Sequence, residues 1–164
     1  MPDSDQRHVT LERVDTGVYR ATNPRGVELT FGSLMEDGFT PVELLLAAIG
    51  GCSALDVDLM TTRRADPERF EVEIDAEKVV DDRGGNVLRD VRVTFRVTFP
   101  DGADGDKARD RLPRAVRTSH DRTCTVSRTI ETGLPVDVRI DDGADCTPGV
   151  TPTKARTPTA PEPR

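Results

Sequence analysis

Apolar residues are spread unevenly along this chain. One run, from Thr40 to Met60, is dominated by Leu, Ala, Ile and Val, while the flanking sequence alternates apolar with polar positions or is polar throughout. Within the run Leu44, Leu45, Ala48, Cys52, Leu55 and Leu59 recur at three- and four-residue steps, the spacing of one helix face, and Leu46, Ile49 and Val57 widen that stripe. The pattern predicts a long helix buried on more than one side. Thr40 and Glu43 form a capping box, and Pro41 falls at the first helical position, where its missing N–H goes unfelt. The helix should end near Arg63 and Arg64, whose charges suit a C-terminus, before Asp66-Pro67 stops it. Gly50 and Gly51 each disfavour a helix interior by about 1 kcal/mol relative to alanine, which points to close approach of another backbone or of a ligand beside Cys52.

Before this helix, segments 8–14, 17–22 and 26–31 alternate apolar with polar residues and are separated by turn compositions, as in an antiparallel meander. After it, 69–79 and 86–99 show a period of two. Phe70, Val72, Ile74 and Ala76 share one face of the first, and Val91, Val93, Phe95, Val97 and Phe99 one face of the second. Acids on the opposite face of one strand and arginines on that of the other predict a cross-strand charge ladder, with Asp81–Gly85 as the hairpin turn. Residues 104–120 read as an amphipathic helix that Pro113 kinks or divides. Residues 120–131 read as a loop and short helix with Cys124 at or next to its start, and 136–140 as a last strand. The order is that of an α+β fold with an antiparallel sheet, a domain over 1–141 and a disordered tail over 142–164. The excess apolar surface of the central helix predicts a second copy as partner, in a two-fold homodimer.

The 164 residues carry a formal net charge of -7, which argues against nucleic acid or an anionic membrane surface as partner. Glu43, Asp56 and Asp58 interrupt the central run, so no membrane span is expected. The polar N-terminus does not read as a signal peptide, and the expected location is cytoplasmic. The three cysteines, Cys52, Cys124 and Cys146, are too sparse for a secreted disulfide framework. With only His8 and His120 besides, no metal site is expected. Cys52 is either a small core residue or a reactive thiol beside a small-residue notch. Cys124, near a helix start, is placed where thiolate is favoured.

The segment Pro41-Val-Glu-Leu-Leu-Leu-Ala-Ala-Ile-Gly-Gly-Cys-Ser-Ala-Leu-Asp-Val57, with Thr123-Cys-Thr-Val-Ser127 further on, resembles the OsmC/Ohr family of osmotically induced and organic-hydroperoxide-resistance proteins. The Gly-Gly-Cys-Ser-Ala stretch is nearest the OsmC-like branch. The resemblance implies an OsmC-like fold in an intertwined homodimer. It also implies a thiol peroxidase that needs no metal or organic cofactor, acts on organic hydroperoxides and is recycled by a thiol or lipoyl reductant. Cys52 would be the peroxidatic thiol and Cys124 the resolving one. The family's activating arginine in the N-terminal hairpin is matched most nearly by Arg20, with Arg13 and Arg25 as alternatives, while Val42 stands where characterised members carry a glutamate. The alternative is a non-enzymatic dimer whose inherited pocket binds a small apolar ligand.

Overall fold

The computed structural model describes residues 6–140, so the expected tail from 142 onwards, with Cys146, lies outside the described residues. The chain divides into two units, Met1–Arg128 and Thr129–Arg164. In the first, β1 (Thr10–Asp15), β2 (Val18–Thr22) and β3 (Glu28–Gly32) form the antiparallel meander. β4 (Arg69–Val80) and β5 (Asn86–Thr98) form a separate two-stranded sheet, so two sheets replace the single one expected. The long helix α1 spans Pro41–Thr61, and α2 covers Ala103–Thr118. A single π-turn, Ser119–Thr123, follows, and the short helix α3 is Thr125–Glu131.

α1 begins as its sequence dictates. The Thr40 side chain accepts from the Glu43 amide at 3.3 Å, and the Thr40 amide donates to Glu43 Oε2 at 2.7 Å. The Thr40 backbone and side-chain bonds hold the Glu43 carboxyl below its ordinary range. The helix ends at Thr61, short of Arg63 and Arg64, with no basic residue in its last turn. There the Thr62 hydroxyl donates to the Asp58 carbonyl at 2.8 Å.

The face that α1 buries is not the leucine stripe. Ile49, Gly50, Ser53, Val57 and Thr61 are buried, while Leu45, Leu55 and Leu59 are exposed, the last two at 66% and 64%. Within one chain the helix is therefore covered on one side only, and the expectation of burial on several sides is not met. The physical reason is close packing: α1 lies against α2 and β4, and small side chains let these elements approach. Gly50 is the clearest case, because a Cβ there would collide with the Ile74 side chain of β4. The expected notch is thus filled by a strand residue, and Gly51 faces open space. This 21-residue helix is long and apolar enough to cross a membrane by length and composition, where the sequence led to no such expectation, and it packs against α2 and β4 on one side.

On β4 and β5 the period of two holds. Phe70 and Phe95 meet edge to face with centroids 6.3 Å apart, and Arg96 pairs with Glu73 on the charged face at 2.6 Å. Between Asp75 and Glu77 the register shifts, so two steps on β4 oppose three on β5, from Arg92 to Arg89. Asp90 takes up the extra residue with φ 53, and Val91 is carried out to an exposed position. α2 runs through Pro113 without being divided.

In the second unit, 134–140 forms no strand, against expectation. Leu134, Val136, Val138 and Ile140 keep the alternation of a strand but are exposed. A strand needs a neighbour to satisfy its backbone groups, and an isolated segment has none.

Two substitutions test this packing. Thr40→Ala should destabilise the chain by about 1 kcal/mol through loss of the cap. Gly105→Ala, where the Pro100 carbonyl fills the space a Cβ would need, should cost about 1–3 kcal/mol. Urea denaturation of both variants measures the order.

Candidate active site

Cys52 sits midway along α1 and is half-buried, and Cys124 lies between the π-turn and α3 and is wholly buried. Cys124 reaches this position because the chain leaves α2 through the π-turn. The Cys124 amide donates to the Ser119 carbonyl at 2.9 Å, a five-residue step that widens the last turn. Asp56 of α1 fastens that turn. Its Oδ2 accepts from Ser119 Oγ at 2.9 Å and from Thr123 Oγ1 at 2.7 Å, so one carboxylate oxygen holds both ends of the five-residue π-turn.

Across this junction the two thiols come near enough to influence each other's ionisation. Three hydrogen bonds involve Cys124 Sγ. Ser53, the residue after Cys52, donates its hydroxyl at 3.4 Å. Cys124 Sγ in turn donates to the Ser127 hydroxyl at 3.2 Å, and the Ser127 amide donates to Sγ at 3.5 Å.

The surroundings move the two thiols in opposite directions. Burial pushes the Cys52 thiol up and its Cys124 neighbour adds to this, against the opposing pull of the Val126 and Thr125 amides. Burial also works to raise Cys124, but the hydroxyls of Ser127 and Ser53, the Ser127 amide and the Cys52 thiol outweigh it and leave Cys124 below the ordinary thiol value.

Of the residues singled out in the sequence, the structure brings Cys52 and Cys124 together and places Arg20 elsewhere. Arg20 lies on β2, where Nη2 donates to Glu12 Oε2 at 3.0 Å and Nη1 lies 3.9 Å from Glu28 Oε2. Its side-chain bonds go to these two carboxylates and not to a cysteine. His120 is an exposed residue of the π-turn. Among the described residues no group of three or more His, Cys, Asp or Glu side chains is arranged to hold a metal ion. An open depression of about 270 Å³, lined by Ala54, Leu55, Asp58 and Phe70, lies on another side of α1.

Ser53, Asp56 and Ser127 were not legible as site residues. The available signal was spacing: Ser53 follows one cysteine, Asp56 lies one turn beyond it, and Ser127 lies one turn beyond the other.

The family model for OsmC-like protein matches residues 34–139. An uncharacterised protein of Mycobacterium tuberculosis is 28% identical over 134 residues, covering 80% of this chain and 94% of its own length. Among solved structures, a hypothetical protein from Aquifex aeolicus superposes with a TM-score of 0.62 at 22% identity, covering 78% of this chain and 89% of that one. An OsmC-like protein from Mycoplasma pneumoniae gives 0.60 at 14%, covering 79% and 89%. At these identities the likeness is one of fold.

Removing the Asp56 clamp should strand the buried Ser119 hydroxyl. Asp56→Ala is expected to lower stability by about 1–3 kcal/mol, read by urea denaturation. Amide exchange should quicken in 119–124, and an unchanged exchange rate there would show that the clamp does not hold the turn.

Proposed function

This chain belongs to the OsmC-like protein family, and we propose that it is a thiol peroxidase reducing organic hydroperoxides through a two-cysteine cycle. The observation that carries the reading is the meeting of Cys52 and Cys124, from elements far apart in the chain, as free thiols near enough to influence each other's ionisation. Cys52 is the more accessible and is the peroxidatic residue. Its sulfur attacks the distal peroxide oxygen and leaves a sulfenic acid and an alcohol. Cys124 then condenses with it to a disulfide, which a thiol or lipoyl reductant reopens by exchange. Arg20, which the family resemblance assigns to orienting the hydroperoxide, would have to leave Glu12 and Glu28 and approach Cys52 to do so. Exposed ion pairs of this kind are weak enough, at roughly 0–1 kcal/mol, to permit that departure.

A homodimer accounts for surfaces that one chain leaves bare. Leu45, Leu55 and Leu59 line the outer side of α1, Leu11, Val14 and Leu29 are exposed on the meander, and Val136, Val138 and Ile140 alternate along an unpaired segment. The meander packs chiefly on itself, so a second copy is the natural cover for these positions. The cytoplasm is the compartment that suits free thiols.

A second reading has its own support. Cys52 is pushed up and Arg20 is engaged by Glu12 and Glu28, as a non-enzymatic dimer binding a small apolar ligand would have it. Activity separates the two. Purified protein should consume cumene hydroperoxide with dithiothreitol or dihydrolipoate. Cys52→Ser should abolish turnover, and Cys124→Ser should leave a stable sulfenic acid on Cys52. No consumption by the wild type would favour the ligand-binding reading. In sedimentation equilibrium the wild type should be a dimer, and Leu55→Glu with Leu59→Glu should shift it to monomer.

A further inference from the structure

Away from the cysteines, the turn after α1 and one face of α2 enclose a depression of about 510 Å³ lined by Arg64, Lys107, Asp110, Arg111 and Arg114. Lys107, Arg111 and Arg114 follow one another at steps of four and three residues on α2, so helical periodicity sets them on one face. Arg64 joins them from α1. Its amide donates to the Thr61 carbonyl at 2.9 Å, and Thr61 is itself buried with its hydroxyl bonded to the Val57 carbonyl, so this fourth cation stands on a fixed backbone.

Charges of one sign at these helical spacings repel, and the arrangement needs an anion to offset it. The chain supplies little of that. Lys107 is bridged to Asp104 at 2.9 Å, and Arg64 acts on the same carboxylate. Arg111 and Arg114 make no ion pair or side-chain hydrogen bond with any described residue, and Asp110, one turn before Arg114, makes no bridge to it. Arg109 of the same helix shows the contrast, being paired with Asp106 and donating to the Phe99 carbonyl at 2.9 Å. In a chain of net charge -7 the depression is a local reversal of sign, four cationic side chains against one carboxylate.

We propose that this depression binds a small anion carrying two phosphate groups, at a site separate from the cysteine pair. Guanidinium groups match phosphate oxygens two N–H donors at a time, which carboxylates on the same helix are not placed to exploit here. Each phosphate brings a charge of about -1.5 to -2. One phosphate therefore leaves the three net positive charges of the walls unbalanced, and two balance them. The volume falls in the range of small-molecule sites, about 300–1,000 Å³. Among the described residues lining it none is aromatic, so nothing there stacks on a base, and the phosphates are what the site reads. The acidity of the rest of the chain repels an extended polyanion such as nucleic acid and favours a compact one held within the cluster.

Calorimetric titration of the reduced full-length protein with inorganic pyrophosphate, in about 0.15 M salt where diffuse attraction is screened, tests the site. Saturable binding of one equivalent per chain is expected, about tenfold or more tighter than that of inorganic phosphate. Arg111→Gln with Arg114→Gln should weaken it about tenfold or more, while the charge-matched pair Arg89→Gln with Arg92→Gln, both exposed on β5, should leave it within about twofold. Asp110→Asn should tighten binding several-fold by removing the repelling carboxylate, a gain that a folding defect does not produce. Absence of saturable binding at this salt, equal weakening by the two arginine pairs, or a single-stranded oligonucleotide that displaces pyrophosphate and binds more tightly than it would overturn the proposal. Hydroperoxide consumption is not the readout, so the outcome is independent of the peroxidase reading.

Discussion

A single carboxylate oxygen, Asp56 Oδ2, accepts hydrogen bonds from the hydroxyls of Ser119 and Thr123, and the placement of Cys124 follows from that contact. A buried hydroxyl must find a partner, and the π-turn that offers these two can dock only where α1 presents an acceptor. Once docked, the turn delivers Cys124 against Ser53, 71 residues away along the chain, and beside Cys52. The same constraint explains the polar character of the buried stripe on α1. Ser53 and Thr61 lie inside, with Thr61 Oγ1 bonded to the Val57 carbonyl at 2.9 Å, because this face has to bind hydroxyls and a sulfur as well as pack.

Pairing two sulfurs in such a junction makes them unequal. The Ser53 hydroxyl and the Ser127 amide donate to the sulfur that lies deepest, and burial works against ionisation of the more accessible one. The division of labour suits a cycle in which one atom meets the oxidant and the other waits to trap the product. Arg20, the residue the family resemblance points to, is engaged on its own sheet by Glu12 and Glu28. Family membership supplies the fold, and the hydrogen bonds around Cys124 are made by this chain's Ser53 and Ser127.

Much of this could be read from the residues. The start of α1 was legible because a capping box is a local signal, and the two hairpins because alternation and turn composition are local as well. The two cysteines stood out through their setting in sequence. What escaped depends on tertiary context. The leucines of α1 follow helical periodicity faultlessly, yet the chain buries Ile49, Ser53 and Val57 instead, because a periodic stripe says that some surface will be covered without saying which one belongs to the same chain. Asp56 read as an ordinary polar residue because its partners, Ser119 and Thr123, lie far along the chain, and Ser127 because a serine three residues after a cysteine is no signal by itself. The bulge at Asp90, which turns Val91 outwards, and the unpaired 134–140 segment failed for a related reason: register and pairing are properties of two strands, and one strand's sequence carries only half of them.

The most direct test is to add one equivalent of t-butyl hydroperoxide to the reduced protein, block remaining thiols, and map the unreduced digest by mass spectrometry. A Cys52–Cys124 linked peptide as the main product is the expected result. Recovery of both cysteines as blocked thiols, or of Cys52 as sulfinic acid with Cys124 untouched, would contradict the account.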